Sequence, residues 1–268
     1  MVGDMVGDMV GDMVGETVGE HDFGARLRRL LDHRRLRPAA LARHVDVPEC
    51  ELTVVLHGGE APAPPLLRRL APALGLHTAD VFAIAGTDTP DDLTPVDTTA
   101  GRAIPRVLQD AAALPPQQYD TLRRYVASLP QAERTRPVPE TPPGRRYPPG
   151  PGALLMSMLH NRNLNWPAIA ITFGTVTYRY WAASTFGQVG HGRKPLTPDL
   201  LADYAVLLDV PADDLSALTA IPLPTPGTPK PDTPAVADLI WELRRLTVSQ
   251  LHQVTDTAKA LRTHPPDD

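Results

Sequence analysis

The sequence predicts an all-α protein, and three observations favour that fold class. Proline is frequent, with 31 residues, while aromatic residues make up only 5% of the 268, which favours short helices joined by irregular connectors over one large sheet. Apolar residues recur at helical spacing in successive short segments from residue 23 onwards. The second half of the chain also repeats the first, so one helical arrangement is predicted to occur twice.

Residues 1–22 are predicted to form a disordered acidic tail. Their repeat, MVGDMVGDMVGDMVGETVGE, has a glycine in every four residues and too few apolar side chains to build a core. This tail carries six acidic residues and no Lys or Arg, so the formal net charge of −5 leaves about +1 on the rest of the chain. The global charge is therefore weak evidence against binding to nucleic acid, which depends on local patches.

The first predicted domain covers residues 23–86 and contains five short helices. In FGARLRRLLDHRRL the apolar residues share one helical face and arginines occupy the others. Gly58-Gly59 and the run from Pro62 to Pro65 break the helical pattern. The helices are predicted at about 23–33, 38–45, 49–56, 65–74 and 78–84.

A helical hairpin is predicted at 101–129, because two adjacent prolines interrupt an otherwise helical pattern. Residues 130–151 are dense in proline and almost free of apolar side chains, which indicates a semi-rigid, extended linker. The repeat then predicts a second domain at 152–220 and a second hairpin at 234–262.

The internal repeat has a nearly constant register. PGALLMSMLHNRNLNWPAIA lies over FGARLRRLLDHRRLRPAALA at an offset of 128, and HGRKPLTPDLLADYAVLLDV lies over HGGEAPAPPLLRRLAPALGL at an offset of 134. The difference of six residues indicates an insertion around TVTYRYWA. The two hairpins align at an offset of 132. A tandem duplication of a five-helix unit plus a hairpin is therefore predicted.

Apolar and small residues recur in both copies at corresponding positions. In the first copy these positions are Leu36, Leu41, Ala42, Val45, Val47, Leu52, Val55, Gly58, Leu67, Leu70, Leu74 and Gly75. In the second copy they are Leu164, Ile169, Ala170, Phe173, Phe186, Val189, Gly192, Leu201, Ala205 and Leu208. This spacing resembles that of the lambda-repressor/Cro-like (XRE) helix-turn-helix family. The resemblance implies two repressor-like five-helix domains, a third helix that enters the DNA major groove, and a role in transcriptional control.

In the first copy, the residues at the recognition positions that the resemblance implies are poorly suited to DNA binding. They fall on Glu49, Cys50, Glu51, Thr53 and Val54. Two carboxylates would face the phosphates unfavourably, so this copy is expected to be an auxiliary binder of the DNA backbone or a degenerate unit. The residues expected to make these weaker contacts are Arg35, Arg37, Arg43 and Thr53. The alternative for the arginine-rich stretch is an ordinary solvated surface.

The second copy is expected to be the principal reader. Ser184, Thr185 and Gln188 are expected to be exposed hydrogen-bonding groups, and methyl groups of Ala and Thr suit thymine. The predicted DNA-binding residues are Ala183, Ser184, Thr185, Gln188, His191, Arg193 and Lys194. Asn165 is expected to cap the first helix of this motif.

The insertion lengthens the turn before this recognition helix. It places four residues near the expected DNA face, where they would either touch DNA or a partner or cover an enlarged core. They are Tyr178, Arg179, Tyr180 and Trp181.

Enzymatic and membrane functions find little support in the sequence. It contains no HExxH, nucleophile-elbow, Walker or GxGxxG motif, and the single Cys50 excludes an internal disulfide and a multi-cysteine zinc site. No catalytic residue, metal or cofactor is therefore predicted. Asp213 and Asp214 are expected to be charges at the start of a helix. Without a signal peptide or an apolar run near 18 residues, a cytoplasmic protein is expected.

The expected partner is double-stranded DNA. The hairpins would either join two chains in a homodimer or cap each domain. The competing hypothesis is a protein–protein adaptor built on degenerate helix-turn-helix units. Its support is the acidic recognition helix, the acidic tail and the near-neutral charge of the remaining chain.

Overall fold

A computed structural model of the protein describes residues 22–58, 61–134, 137–223 and 234–263. Within these ranges all regular elements are helical, with fourteen α-helices and three short 3₁₀ turns, so the predicted all-α class is confirmed there. The acidic repeat up to residue 21 and Gly59 lie outside the described residues.

The first five helices, here called the first unit, lie within one residue of the predicted bounds. They are α1 (Phe23–His33), α2 (Pro38–His44), α3 (Glu49–Leu56), α4 (Pro64–Ala73) and α5 (Thr78–Ala85). The first hairpin follows as α6 (Ile104–Ala112) and α7 (Pro116–Ser128).

The remaining helices follow the same order. The second unit comprises α8 (Pro151–Asn161), α9 (Trp166–Thr177), α10 (Ala183–Gly190), α11 (Pro198–Leu208) and α12 (Ala212–Thr219). The second hairpin comprises α13 (Pro234–Leu243) and α14 (Val248–Thr263). As expected, the side chain of Asn165 caps α9, where it accepts a hydrogen bond of 3.0 Å from the amide of Ala168.

The backbone conformation recurs at the offsets of the sequence repeat. Among the described residues, those with φ in the left-handed region form five pairs, which are separated by 128 residues after the first helix of the units, by 132 after the second helix and by 134 from the third helix onwards. The pairs are Arg35 and Asn163, Asp46 and Tyr178, Gly58 and Gly192, Gly75 and Asp209, and Gly86 and Ala220. Each pair ends corresponding helices, so the two units turn at equivalent points.

A glycine near the start of each unit allows its first helix to approach the third. A Cβ atom on Gly24 would collide with the carbonyl oxygen of Val55, and one on Gly152 would collide with that of Val189. Both glycines therefore permit backbone-to-backbone packing at the carboxyl end of α3 and of α10.

The units and hairpins pack together in a crossed arrangement. Helix α1 packs on α12 of the other unit, and α5 packs on α8. The two hairpins pack on each other, while α6 also contacts α9 and α13 contacts α11. The hairpins therefore pack within one chain, where α13 lies against its own unit, as a cap would, whereas α6 lies against the other unit.

Candidate nucleic-acid interface

Helix α10 is held to the second unit by two buried apolar side chains. Phe186 and Val189 are buried, and the ring of Phe186 lies 4.8 Å from that of Phe173, between centroids. The opposite side of the helix faces outward, where Ser184 and Gln188 are exposed. These two predicted reading residues thus stand on one accessible surface.

Thr185 does not belong to that surface, so its predicted exposure is wrong. Only 7% of Thr185 is exposed. The physical reason is its position four residues before Val189, which places both side chains on the inner side of the helix. Its counterpart in the first unit is Glu51, whose longer charged side chain reaches solvent.

A tryptophan ring packs against the middle of α10 at Gly187, which is buried. A Cβ atom on Gly187 would lie 2.8 Å from the ring of Trp166, the first residue of α9. Trp166 was not among the predicted site residues. A signal for it existed in the sequence, because Gly187 replaces Thr53 in the middle of a helix, where glycine is costly.

The linker is bound to the second unit through Tyr147. The indole N–H of Trp166 donates to the Tyr147 Oη at 2.8 Å, and that hydroxyl lies 3.1 Å from Nε2 of His160. Burial lowers the pKa of His160 to about 4, so its ring is neutral at pH 7. Since Nδ1 of His160 lies 2.9 Å from the Leu164 carbonyl oxygen, Nδ1 carries the proton and Nε2 accepts from Tyr147.

His191, which is predicted to contact DNA, contacts the linker in the structure. Its Nε2 lies 3.1 Å from the carbonyl oxygen of Gly144, and its ring meets the ring of Tyr147 edge-on at 4.9 Å between centroids. His191 therefore helps to hold the linker against the end of α10.

The loop after α10 places two basic residues beside the end of the helix. Gly192, with φ of 67°, turns the chain so that the amides of Arg193 and Lys194 donate to the Gln188 carbonyl oxygen at 2.8 and 3.2 Å. Arg193 is exposed and Lys194 is half-buried. Both predicted backbone-binding residues therefore lie beside the exposed Gln188.

A cavity of about 470 Å³ lies beside this surface, between the linker and the start of α9. Trp166 and the exposed side chain of Ile171 line it, together with Arg102 and Arg145, which sequence reasoning did not select. Within the described part of the chain, Arg102, Arg145, Arg193 and Lys194 form no ion pair. Arg193 and Lys194 therefore lie beside α10, while Arg102 and Arg145 line the cavity next to it.

The residues of the insertion before α10 do not all take the same role: one covers the core, and two others are exposed. Trp181 is half-buried and donates from Nε1 to Oδ2 of Asp203 at 3.0 Å, so it covers the core. Tyr178 and Tyr180 are 79% and 85% exposed and remain available for contacts. Arg179 lies 3.5 Å from Asp199, which offsets its charge.

The recognition positions of the first unit are fully open. All five predicted positions on α3 are exposed, and Val54 is 54% exposed. The hydroxyl of Thr53 donates to the carbonyl oxygen of Glu49 at 2.8 Å. The predicted weaker contacts Arg35, Arg37 and Arg43 are also exposed, but they belong to α2 and the segment before it. Helix α3 itself offers two carboxylates and no cation.

No family model matches the chain, and no curated protein or solved structure matches it either. Functional assignment therefore depends on the residues of this chain. Within the described residues, no helix combines the length and the hydropathy that a membrane span requires.

Proposed function

We propose that the protein is a DNA-binding transcriptional regulator with two repressor-like helix-turn-helix units, of which the second is the principal reader. The observation that carries the proposal is the outer face of α10. Exposed Ser184 and Gln188 lie there beside Arg193 and Lys194, two cations that belong to no ion pair among the described residues. Hydrogen-bonding groups flanked by free cations match the edges of bases flanked by phosphates.

Each side chain on this face has a specific role in the proposal. Gln188 would form paired hydrogen bonds with adenine, and Ser184 would bond to a base or a phosphate. The methyl group of Ala183 would contact thymine, while Arg193 and Lys194 would bind phosphates on either side. Thr185 is removed from the reading set by its burial, and His191 acts through the linker.

The linker and first hairpin add cations to this surface. Arg145 and Arg102 line the cavity beside Trp166, and Trp166 lies against the middle of α10. Phosphates adjoining the bases read by α10 would meet these guanidinium groups, which suit phosphate geometry. The DNA-binding surface would thus extend beyond the helix-turn-helix motif.

The second candidate function, a protein–protein adaptor, is favoured by one specific observation. On α3 the exposed Val54 accompanies Glu49 and Glu51, so this face combines apolar area with negative charge. Such a face suits a basic protein segment better than a phosphate backbone. The first unit could serve this role while the second binds DNA.

The dependence of DNA affinity on salt tests the proposal. The full chain should bind fragments of a genomic library at low salt, with an affinity that falls steeply as salt rises. Replacing Arg193 and Lys194 with alanine should make the negative slope of log affinity against log salt shallower by about two, because two phosphate contacts are lost.

The matched control removes the same charge from the first unit. Arg35→Ala with Arg37→Ala should change the slope less than the Arg193→Ala with Lys194→Ala variant does. Absence of binding to every fragment at low salt would contradict the proposal and favour the adaptor.

A further inference from the structure

The contact between α1 and α12 contains an ion pair that joins the two units. Arg34 donates to Asp214 through Nε at 3.0 Å and Nη2 at 2.7 Å. Its Nη1 donates to the carbonyl oxygen of Leu74, at the end of α4, at 2.8 Å. Arg34 therefore binds the other unit and the end of a helix in its own unit.

The contact between α5 and α8 contains a corresponding pair in the opposite direction. Arg162 donates from Nη1 to both carboxylate oxygens of Asp80 at 3.0 and 3.1 Å, and from Nη2 to the carbonyl oxygen of Leu208 at 2.7 Å. Here the arginine comes from the second unit and the aspartate from the first. Both side chains of this pair are only 1% exposed.

The residues of the two contacts are counterparts in the repeat. Arg34 and Arg162 differ by the offset of 128, whereas Asp80 and Asp214 differ by the offset of 134. Leu74 and Leu208 also differ by 134. Even the residue before each arginine contacts the same aspartate, since His33 lies 3.7 Å from Asp214 and Asn161 donates to Asp80 at 3.1 Å.

Such reciprocity is the property of a two-fold interface. When two identical subunits pair about a two-fold axis, residue i of one contacts residue j of the other, and j contacts i in return. The arginine and aspartate of this repeat meet in that way, but within one chain. The mutual packing of the two hairpins follows the same reciprocity.

We infer that one chain is the equivalent of a dimer, so that it is monomeric in solution and binds a single DNA site that lacks palindromic symmetry. This inference rests on the proposed function for the DNA part alone. A second chain would find the surface that each unit uses for pairing already occupied by the other unit. Palindromic sites mirror the two-fold symmetry of a protein, and here that symmetry is broken on the reading face.

The loss of symmetry includes the exposed positions that face outward on both third helices. The counterparts Cys50 and Ser184 differ, as do Val54 and Gln188, although the buried framework around them is repeated. Helix α10 would therefore read one part of the DNA site. Because α3 presents different residues, the other part of the site would not need an inverted copy of that sequence.

Sedimentation of the full chain, free and bound to DNA, tests the stoichiometry. We expect a species of 29.0 kDa without DNA and one chain on each duplex. A free dimer, or two chains on one duplex, would overturn the inference. Binding-site selection with the full chain should enrich a sequence without a palindrome, and a palindromic consensus would also overturn it. If no duplex is enriched, the proposed function fails, while the mass of the free chain still decides whether the pairing is internal.

Charge reversal tests whether the pairing occurs within one chain. Arg34→Asp and Asp214→Arg should each lower the melting temperature, and the variant that carries both should recover most of the loss as a monomer. The matched control is the exposed pair Arg68 and Asp92, whose reversal should produce no comparable loss or recovery. Mixing the two single variants should give neither recovery nor a mixed dimer. Recovery through a two-chain species would overturn the inference, and so would a double variant as unstable as the singles.

Discussion

The two units share their backbone turns and the apolar anchors of their third helices, but the surroundings of these helices differ. Leu52 and Val55 anchor α3 as Phe186 and Val189 anchor α10. The outer face of α3 is open and acidic, whereas α10 is flanked by Trp166, the linker and a group of cations. The difference teaches that the buried positions determine the fold, while residues outside the helix help to determine what its exposed face can bind.

The acidic residues of α3 favour the helix but oppose the approach of phosphate. Glu49 and Glu51 lie in the first turn, where negative charge interacts favourably with the helix dipole. The same charges repel phosphate. The first unit can therefore be well folded and still be a poor DNA reader.

The largest expected effects on stability come from the two reciprocal ion pairs that join the units. Arg162→Ala should lower the free energy of unfolding by about 3–5 kcal/mol, because it leaves Asp80 buried and unpaired. Arg34→Ala should cost only about 1.5–3 kcal/mol, since the Arg34 side chain is 27% exposed and water can replace some of its hydrogen bonds to Asp214. Urea denaturation of both variants measures the difference. An equal or larger effect for Arg34→Ala would contradict the greater burial of the second pair.

Acid should destabilise the folded chain through a histidine of the second unit. Burial lowers the pKa of His160 to about 4 from the ordinary 6.5, so the unfolded chain takes up this proton at higher pH than the folded chain. The free energy of unfolding should therefore fall as pH drops from 6.5 to 4, by up to about 3 kcal/mol from this residue. Half-buried His77, whose pKa is also lowered to about 4 by desolvation, adds to the loss.

Denaturation at several pH values, with His160→Gln beside the unchanged protein, measures this contribution. The variant should lose less stability across that interval. Equal pH dependence of the two proteins would exclude His160 as a source.

Exchanging one pair of counterpart residues should affect the stability of α10, which Trp166 covers, more than that of the open helix α3. Gly187→Thr introduces the residue of the first unit, and its Cβ would collide with Trp166, at an expected cost of about 1–3 kcal/mol. The reverse change, Thr53→Gly, meets no such neighbour and should cost less than about 1 kcal/mol through helix propensity. Thermal or urea denaturation compares the two. A larger loss for Thr53→Gly would show that Trp166 does not constrain α10.

A smaller effect is expected from the hydroxyl that binds the linker. Tyr147→Phe removes the acceptor for Trp166 and the donor to His160, and should lower the free energy of unfolding by about 1–2 kcal/mol. Tyr178→Phe removes a hydroxyl from an exposed ring and should stay within about 0.5 kcal/mol of the unchanged protein. If the two variants were equally stable, the Tyr147 hydroxyl would contribute nothing to linker binding.

The sequence predicted the helices well because local features determine where they begin and end. Prolines mark several helix starts, glycine ends α5, and the side chain of Asn165 caps α9. The left-handed residues that end the helices follow the repeat offsets even where the residue type changes, as from Gly75 to Asp209. These signals operate over a few residues and can be recognised without tertiary structure.

Features that depend on distant contacts were missed. Asp214 was expected only as a charge at a helix start; it lies in the first turn of α12 and also binds Arg34, 180 residues away. Helical spacing does not reveal which unit a surface arginine meets. Thr185 was misjudged and Trp166 was missed for a similar reason, since burial on α10 depends on how α9 and the linker lie against it.

The most direct test of α10 as the reading helix compares affinities for a selected DNA site at one salt concentration. Ser184→Ala with Gln188→Ala should lower the affinity roughly 10- to 100-fold, because the paired contact of Gln188 with a base edge contributes about 1–3 kcal/mol. The counterpart variant, Cys50→Ala with Val54→Ala, alters the same positions on α3 and should leave the affinity unchanged. A loss confined to the α3 variant, or no loss in either, would contradict the assignment of reading to the second unit.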